Sequence, residues 1–268
     1  HYQIIGRGKN KTRVPCSSEE MCEQLAVTAF AALEDAGVTI DDIPWVGIGT
    51  PGTVNRDLGV VEFSNNLYFN NFELRRMLQE RMKKEVIVEN DANAAAYGEY
   101  QAGALKGARN ALAITLGTGV GSGIIVDGKI YSGSNYSAGE MGHTVIVFNG
   151  RHCSCGRDGC WECYSSATGL ILSTKEAMLA HPDKESPIWK LVDGNLDHVS
   201  GRTAFDAMRA GDPVGKKIVD EYIAYLGCGL ANCVNTLQPD ILCVGGGICN
   251  EGETLLAPVR EYVDREQY

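Results

Sequence analysis

The sequence predicts an α/β protein of two lobes with largely parallel sheets. Apolar strand patterns alternate with helical patterns through the first hundred residues, at 45–49, 72–84, 86–89 and 92–101. Such alternation favours parallel strands that are joined by helices. A second series of strands begins near residue 107. We therefore expect a smaller N-terminal α/β lobe and a larger C-terminal α/β lobe, over residues 1–107 and 108–268.

The first lobe opens with a short strand pattern at residues 2–5. Ser17-Ser18-Glu19-Glu20 has the Ser-x-x-Glu spacing of a capping box, which predicts a helix that runs to about Ala36. Gly37 predicts the end of that helix, because glycine readily takes the left-handed backbone of a C-cap. Asn90 and Asp91 directly follow strand 86–89, where the next helix begins. Ligand sites in α/β proteins lie at such strand ends, so both residues are candidates for function.

The second lobe begins with a strand over residues 110–116. A glycine-rich loop follows at 117–123, and a second strand at 124–126 runs into a hairpin turn at Asp127-Gly128. The rest of the pattern predicts helices at about 165–180, 203–210, 213–236 and 254–265. A strand at 240–244 precedes the last of these helices and ends in three glycines.

Composition excludes two broad classes of function. The net charge is −10, whereas a protein that binds nucleic acid through its phosphates needs a basic surface. No apolar run approaches the roughly 20 residues that cross a bilayer. The N-terminal residues do not have the pattern of a secretory signal, so the ten cysteines are expected to be reduced. These observations predict a cytoplasmic protein with neither a membrane nor a nucleic acid as its partner.

Four of the cysteines fall within a short segment, 153–163, that also contains glycines. Thiolates of Cys153, Cys155 and Cys160 can converge on one ion, because the glycines let the backbone turn tightly. Structural zinc takes four Cys or His ligands, and the candidates for the fourth are His143, His152 and Cys163. We favour His143, which reaches the site from another segment. A metal-free cysteine cluster and a disulfide are the alternatives.

Three further features are candidate ligand contacts. The loop Gly117–Gly123 leads into a strand rather than a helix. It therefore fits a phosphate-binding hairpin with Thr118 better than a dinucleotide fingerprint, and a plain tight turn is the alternative. Asp91 could accept a proton from a hydroxyl during phosphoryl transfer, or it could simply cap a helix. Glu140 and Glu162 flank the cysteine segment, either as ligand contacts or as solvated acids.

Five motifs, in order along essentially the whole chain, resemble the ROK family (repressors, open reading frames and kinases). The stretch Cys153–Glu162 is similar to its Cys-x-Cys-Gly-x-x-Gly-Cys-x-Glu signature, and Glu140–His143 to its Glu-x-Gly-His sugar motif. The catalytic stretch, the second phosphate loop and the adenosine motif of the family are matched at Glu89–Ala94, Leu116–Gly121 and Val244–Gly247.

The resemblance implies an actin-like, ribonuclease H-like two-lobed ATPase fold with a structural zinc knuckle. It implies phosphoryl transfer from ATP, with Mg²⁺, to a hexose hydroxyl, usually at C6, by a homodimer or homotetramer. Asp91 would be the general base. The sugar would be held by Asn66, Asn90, Asp91, Glu140, His143 and Glu162. The nucleotide would be held by Gly117, Thr118, Gly119, Gly245, Gly246 and Gly247. Zinc (Zn²⁺) would be held by His143, Cys153, Cys155 and Cys160.

The resemblance also indicates a substrate and two departures from the family pattern. The segment Tyr164–Gly169 looks more like the glucokinase branch, so glucose is the expected substrate; fructose, mannose, allose and N-acetylhexosamines are alternatives. A sugar-responsive transcriptional repressor and an inert sugar-binding protein are the other candidate functions. Family kinases begin with an Asp-x-Gly-Gly-Thr phosphate hairpin and usually end with a closing helix. Neither is found in the sequence, so we expect truncation at both ends and poor kinase activity of this chain alone.

Overall fold

A computed structural model describes residues 3–268 of the chain, which group into two units. The first unit contains the described residues up to Gly107 together with Gly123–Ile125 and Lys129–Ala138. The second contains Ala108–Ser122, Val126–Gly128 and Gly139–Tyr268. Within the described residues, no helix is both long and apolar enough to pass through a membrane.

The first unit begins with a helix whose ends follow local sequence signals. Its helices are α1 (Ser18–Ala36), α2 (Leu74–Met82) and α3 (Asp91–Ala102), and its strands are β1 (Trp45–Thr50), β2 (Thr53–Asn55), β3 (Val60–Ser64), β4 (Phe69–Phe72) and β5 (Glu85–Asn90). The predicted capping box is formed, because the Glu20 N–H donates to the Ser17 hydroxyl and the Ser17 N–H donates to the Glu20 carboxylate. Gly37 ends α1 with left-handed backbone.

Two separate sheets lie in the first unit. Strands β1 and β5 pair in parallel, in a register that places Thr50 opposite Asn90. Strands β2, β3 and β4 form an antiparallel sheet, which the sequence analysis did not predict. The strand predicted at 2–5 is wrong where the structure describes it, since residues 3–5 form none; residue 2 lies outside the described residues. Leu74, Leu78 and Val88 are among the core residues of this unit.

A third sheet has four strands, of which β6 and β9 lie wholly in the second unit. The strands are β6 (Ala111–Leu116), β7 (Val120–Val126), β8 (Lys129–Ile130) and β9 (Ile241–Gly245), in the order β8-β7-β6-β9. Strands β6 and β9 are parallel, and Thr115 lies opposite Gly245 at their carboxyl ends. Strand β7 begins at Val120 rather than at the predicted residue 124, so the glycine loop is only Gly117–Gly119. Glycines 121 and 123 belong to the strand, and at Gly123 the missing side chain permits close approach of Ala92 and Ala96.

Helices cover the rest of the second unit. They are α4 (Glu162–Ser165), α5 (Ala167–Ala180), α6 (Pro187–Lys190), α7 (Thr203–Arg209), α8 (Pro213–Leu237) and α9 (Glu253–Glu266), with 3-10 turns at Met141–His143, Leu196–His198 and Gly247–Glu251. Helix α8 packs against α5, α7 and α9. The fully buried Trp161 donates its Nε1–H to the carbonyl of Tyr225 at 3.1 Å. The cysteine-rich segment is therefore anchored to α8 at its end.

Candidate functional site

The structure brings one histidine and three cysteines together in the second unit. The ligand atoms of His143, Cys153, Cys155 and Cys160 all lie within 4.8 Å of one another. Cys153 Sγ is 3.6 Å from His143 Nδ1, and Cys155 Sγ is 3.6 Å from Cys160 Sγ. Three thiols and one imidazole are a donor set that suits tetrahedral zinc. The other histidine considered for this position, His152, pairs instead with Asp158 at 2.9 Å.

Tight turns place the cysteines of this group. Gly156 and Gly159 have φ angles of 87° and 81°, in the left-handed region that suits glycine. The Cys153 N–H donates to the Arg157 carbonyl at 2.8 Å, and the Gly156 N–H donates to the Cys153 carbonyl at 2.9 Å. The backbone thus turns back between Cys153 and Cys160. His143 comes from the 3-10 turn Met141–His143, so the group joins two separate segments.

The electrostatics of the three thiols are unequal. Burial raises the pKa of Cys153, but hydrogen bonds from the Cys155 N–H and from neighbouring thiols outweigh it and lower that pKa to about 7. Burial and the neighbouring thiols raise the pKa of Cys160 to about 12. The thiolate form is therefore favoured at Cys153 and disfavoured at Cys160. A bound cation would supply the positive charge that ionises all three.

The two acids of the predicted sugar site lie close to the start of β7. The Val120 N–H donates to Glu162 Oε2 at 2.9 Å, and Glu162 is the first residue of α4. Glu140 is exposed and precedes the 3-10 turn that carries His143. The Ser122 hydroxyl holds this turn to β7, because it donates to the Gly139 carbonyl and accepts from the Met141 N–H. The sugar motif and the glycine loop are therefore neighbours within one unit.

Both predicted nucleotide loops lie at the same edge of the sheet. Gly117 and Thr118 are exposed beyond the end of β6. Gly246, with φ 106°, lies so close to the carbonyl of Leu116 that a side chain there would overlap it. The glycine loops that follow β6 and β9 therefore lie side by side.

A cavity next to Gly247 was missed by the sequence analysis. It has a volume of about 390 Å³ and is lined by Arg202, Asp206, Arg209, Gly247, Asn250 and Glu251. Arg209 pairs with Glu251 at 2.6 Å. Residues 202, 206 and 209 are spaced as on one face of a helix. This spacing was the sequence pattern that could have indicated the cavity.

In the first unit, Asn90 rather than Asp91 caps helix α3. Asn90 Oδ1 accepts from the N–H groups of Ala92 and Asn93 at 2.9 and 3.1 Å, and its Nδ2 donates to the Gly52 carbonyl at 3.1 Å. Asp91 lies in the first helical turn with its side chain exposed, and its Oδ1 accepts from the Ala92 N–H. The N-cap of α3, which was the alternative role for Asp91, is therefore Asn90.

Asn66, the remaining predicted sugar contact, is exposed in the turn between β3 and β4. It belongs to the same unit as Asn90 and Asp91. The antiparallel sheet, which the sequence did not predict, thus carries one of the predicted site residues.

Comparison with known proteins decides the family. The sequence model of the ROK family matches residues 6–267. The chain belongs to the ROK family. Glucokinase of Streptomyces coelicolor is 38% identical over 256 residues, which cover 96% of this chain and 79% of that protein. The xylose repressor of Bacillus subtilis is 34% identical over 225 residues, which cover 83% of this chain and 53% of the repressor.

Solved structures agree with this assignment. The crystal structure of a ROK family glucokinase from Streptomyces griseus in complex with glucose and AMPPNP has a TM-score of 0.81 and 36% identity, and it covers 96% of this chain and 81% of that one. The predicted family and the actin-like sugar kinase fold are thereby confirmed, and the cysteine and histidine group of the predicted zinc knuckle is present.

This ROK protein also has a partly buried hydrogen-bond network beside Asp91 that the sequence did not indicate. Glu89 Oε1 accepts from the Asn90 N–H at 2.8 Å and from Asn93 Nδ2 at 3.2 Å, and Glu89 Oε2 lies 3.6 Å from Arg56. Asn93 is only 3% exposed. The network fixes the junction of β5 and α3 on either side of Asp91. Glu89 and Asn93 are four residues apart, and both belong to the stretch Glu89–Ala94 that resembles the catalytic motif of the family.

Proposed function

We propose that this ROK protein is an ATP-dependent hexose kinase that converts glucose to glucose 6-phosphate. One observation carries the proposal: Glu162 of the family signature accepts a hydrogen bond from Val120, at the end of the predicted phosphate loop. A carboxylate suited to sugar hydroxyls thus lies beside backbone suited to phosphate. Similarity along 96% of the chain to a glucokinase crystallised with glucose and AMPPNP supports the same assignment.

The reaction needs a group that takes the proton of the attacking hydroxyl, and we assign Asp91 to it. Its exposed carboxylate can approach a ligand, and it is positioned by the helix start that Asn90 caps. General-base catalysis of this kind contributes about 10²–10⁴-fold to a rate. Amide and carboxylate groups suit the remaining hydroxyls of the sugar, and those assigned to them are Asn66, Asn90, Glu140, His143 and Glu162.

The nucleotide is assigned to the two glycine loops. The N–H groups of Thr118 and Gly119 would hold phosphate oxygens, and Gly117 would shape this loop, since its own N–H donates to the Gly119 carbonyl at 3.0 Å. Gly245, Gly246 and Gly247 would lie against the adenosine, with the adjacent cavity open to the base. Mg²⁺ would offset negative charge on the phosphates. Zinc on His143, Cys153, Cys155 and Cys160 would hold the sugar-binding segments in place without taking part in the chemistry.

The test is Asp91→Asn, which keeps the size of the side chain and removes its basicity. We expect kcat to fall by about 10²–10⁴-fold, measured with glucose and MgATP by coupled detection of glucose 6-phosphate. Glucose affinity by calorimetry should change little. Asp41→Asn is the matched control, because Asp41 is an exposed acid in another short helical turn. An Asp91→Asn variant with ordinary turnover would show that another group is the base.

A panel of sugars separates this function from the alternatives. Glucose, fructose, mannose and N-acetylglucosamine should be tested with the same MgATP assay, and glucose should have the highest kcat/KM. The similarity to a xylose repressor favours a regulator as the second candidate. Sugar binding by the full-length protein, with no phosphorylation of any hexose, would support that candidate and contradict the kinase.

The setting of the protein is part of the proposal. All ten cysteines are free thiols in the structure, which fits the reducing cytoplasm. The expected homodimer or homotetramer stays a prediction, and light scattering of the purified protein measures it.

A further inference from the structure

The glycine loop is held by a segment that the sequence analysis did not connect with it. The Ala167 N–H donates to the Gly117 carbonyl at 2.9 Å. The Thr168 hydroxyl donates to the Thr118 carbonyl at 2.8 Å, across fifty positions of the chain. Two successive carbonyls of the loop are therefore turned toward the first residues of α5.

This arrangement has a direct consequence for the N–H groups of the loop. A peptide unit is planar, and in its trans form the C=O and N–H point in opposite directions. The carbonyl of Gly117 shares a plane with the N–H of Thr118, and the carbonyl of Thr118 shares one with the N–H of Gly119. Because both carbonyls face α5, both N–H groups point away from it. Two adjacent donors on one side are the arrangement that binds an anion.

The Thr168 bond differs from the usual behaviour of a helical threonine. Such hydroxyls commonly bond to the carbonyl four residues earlier, as Thr174 does with Leu170 and Thr236 does with Asn232. Thr168 is exposed, and its hydroxyl could bond to water at no cost. Its bond goes instead to Thr118, which has a glycine on either side. The bond therefore restrains loop backbone that the glycines would otherwise leave free to rotate.

We infer that Thr168 is a positioning residue for the nucleotide phosphates, acting through the Thr118 carbonyl to aim the Gly119 N–H. The inference rests on the proposed role of this loop in binding ATP. The Thr168 hydroxyl bonds to the glycine loop rather than to the sugar motif or the cysteine group, so its loss should act on ATP more than on glucose.

The experiment compares Thr168→Val, which keeps the shape and removes the hydroxyl, with Thr168→Ser, which restores it. The KM for ATP should rise about 5- to 10-fold in the valine variant, the loss expected for one neutral hydrogen bond, and return toward the wild-type value in the serine variant. The KM for glucose should stay within about twofold. Hydrogen exchange of the 117–120 amides should be faster in Thr168→Val. Thr236→Val is the matched control, and it should change none of these quantities.

The outcomes separate this inference from the proposed function. An active wild-type protein whose Thr168→Val variant keeps the wild-type KM for ATP and the same loop exchange overturns the inference alone. Equal increases in KM for ATP and for glucose would also overturn it, because they indicate a general loss of structure. A full-length wild-type protein that phosphorylates no hexose contradicts the proposed function alone. The inference is then decided by ATP affinity from calorimetry, which should fall about 5- to 10-fold in Thr168→Val, and an unchanged affinity would overturn it.

Discussion

Replacing Gly229 by alanine should disturb the site through Trp161, without touching any proposed ligand. Gly229 lies inside α8, and a Cβ there would lie closer than 3.0 Å to three indole atoms of Trp161. The indole cannot easily move aside, because it is fully buried and its Nε1–H is bonded to the Tyr225 carbonyl. Trp161 stands between Cys160 and Glu162 in the chain, so its displacement should reach both.

The magnitude follows from two opposing effects. Forcing an extra methyl group into a packed core costs about 1–3 kcal/mol, and a clash with three atoms of a rigid ring belongs at the upper end. Alanine in a helix interior is about 1 kcal/mol better than glycine. The net loss is about 2 kcal/mol. For a unit of this size, that lowers Tm by about 4–8 °C.

Differential scanning calorimetry measures this change, and Gly98→Ala is its control. Gly98 also lies inside a helix, α3, but nothing lies within 4 Å of its added Cβ. That variant should gain up to about 1 kcal/mol. Gly229→Ala should also raise the KM for glucose and lose zinc more readily to a chelator. If Gly229→Ala melted at or above the wild-type temperature, as Gly98→Ala should, the packing argument would be refuted.

Two further predictions concern zinc and pH. The Cys155→Ser variant should contain no zinc by metal analysis, because a structural zinc ion needs four ligands. The control variant Ser154→Ala should keep its zinc. Zinc retained by Cys155→Ser would exclude that thiol as a ligand. Hydrogen bonds from the Asn110 and Arg109 N–H groups lower the pKa of Asp240, so its stabilisation is present above its ordinary pKa near 4 and lost as pH falls through the lowered value. Asp240→Asn should therefore weaken resistance to urea at pH 7 and hardly at pH 2, and an equal effect at both would contradict this.

The parts of the fold that local signals determine were predicted from the sequence. Helix α1 starts and ends where the Ser17–Glu20 capping box and Gly37 predict. The cysteine spacing and the position of His143 predicted the group that the structure brings together. The helix ends depend on residues that are close in sequence. The cysteine and histidine group depends on the few residue types that can bind zinc.

Features that depend on distant pairing were not predicted. The antiparallel sheet of β2, β3 and β4 uses strands of three to five residues, too short to give a clear alternation of apolar residues. The strand start at Val120 was hidden because glycines 121 and 123 are read as loop residues in a sequence. The contacts of Val120 with Glu162 and of Thr168 with Thr118 span 42 and 50 residues, and no local pattern indicates them.

The parallel pairing of β6 and β9 fixes the distance between the two glycine loops, and therefore the length of the ligand that can contact both. Each strand ends in one of the two loops proposed to bind the nucleotide, and their register sets how far Thr118 lies from Gly246. A slip by one residue would move one loop by about 3.3 Å along the sheet and turn its side chains to the other face. The distance from the base of a nucleotide to its last phosphate is fixed by covalent bonds. An insertion within 241–245 should therefore change which phosphate reaches the first loop, and so alter the preference among nucleoside mono-, di- and triphosphates.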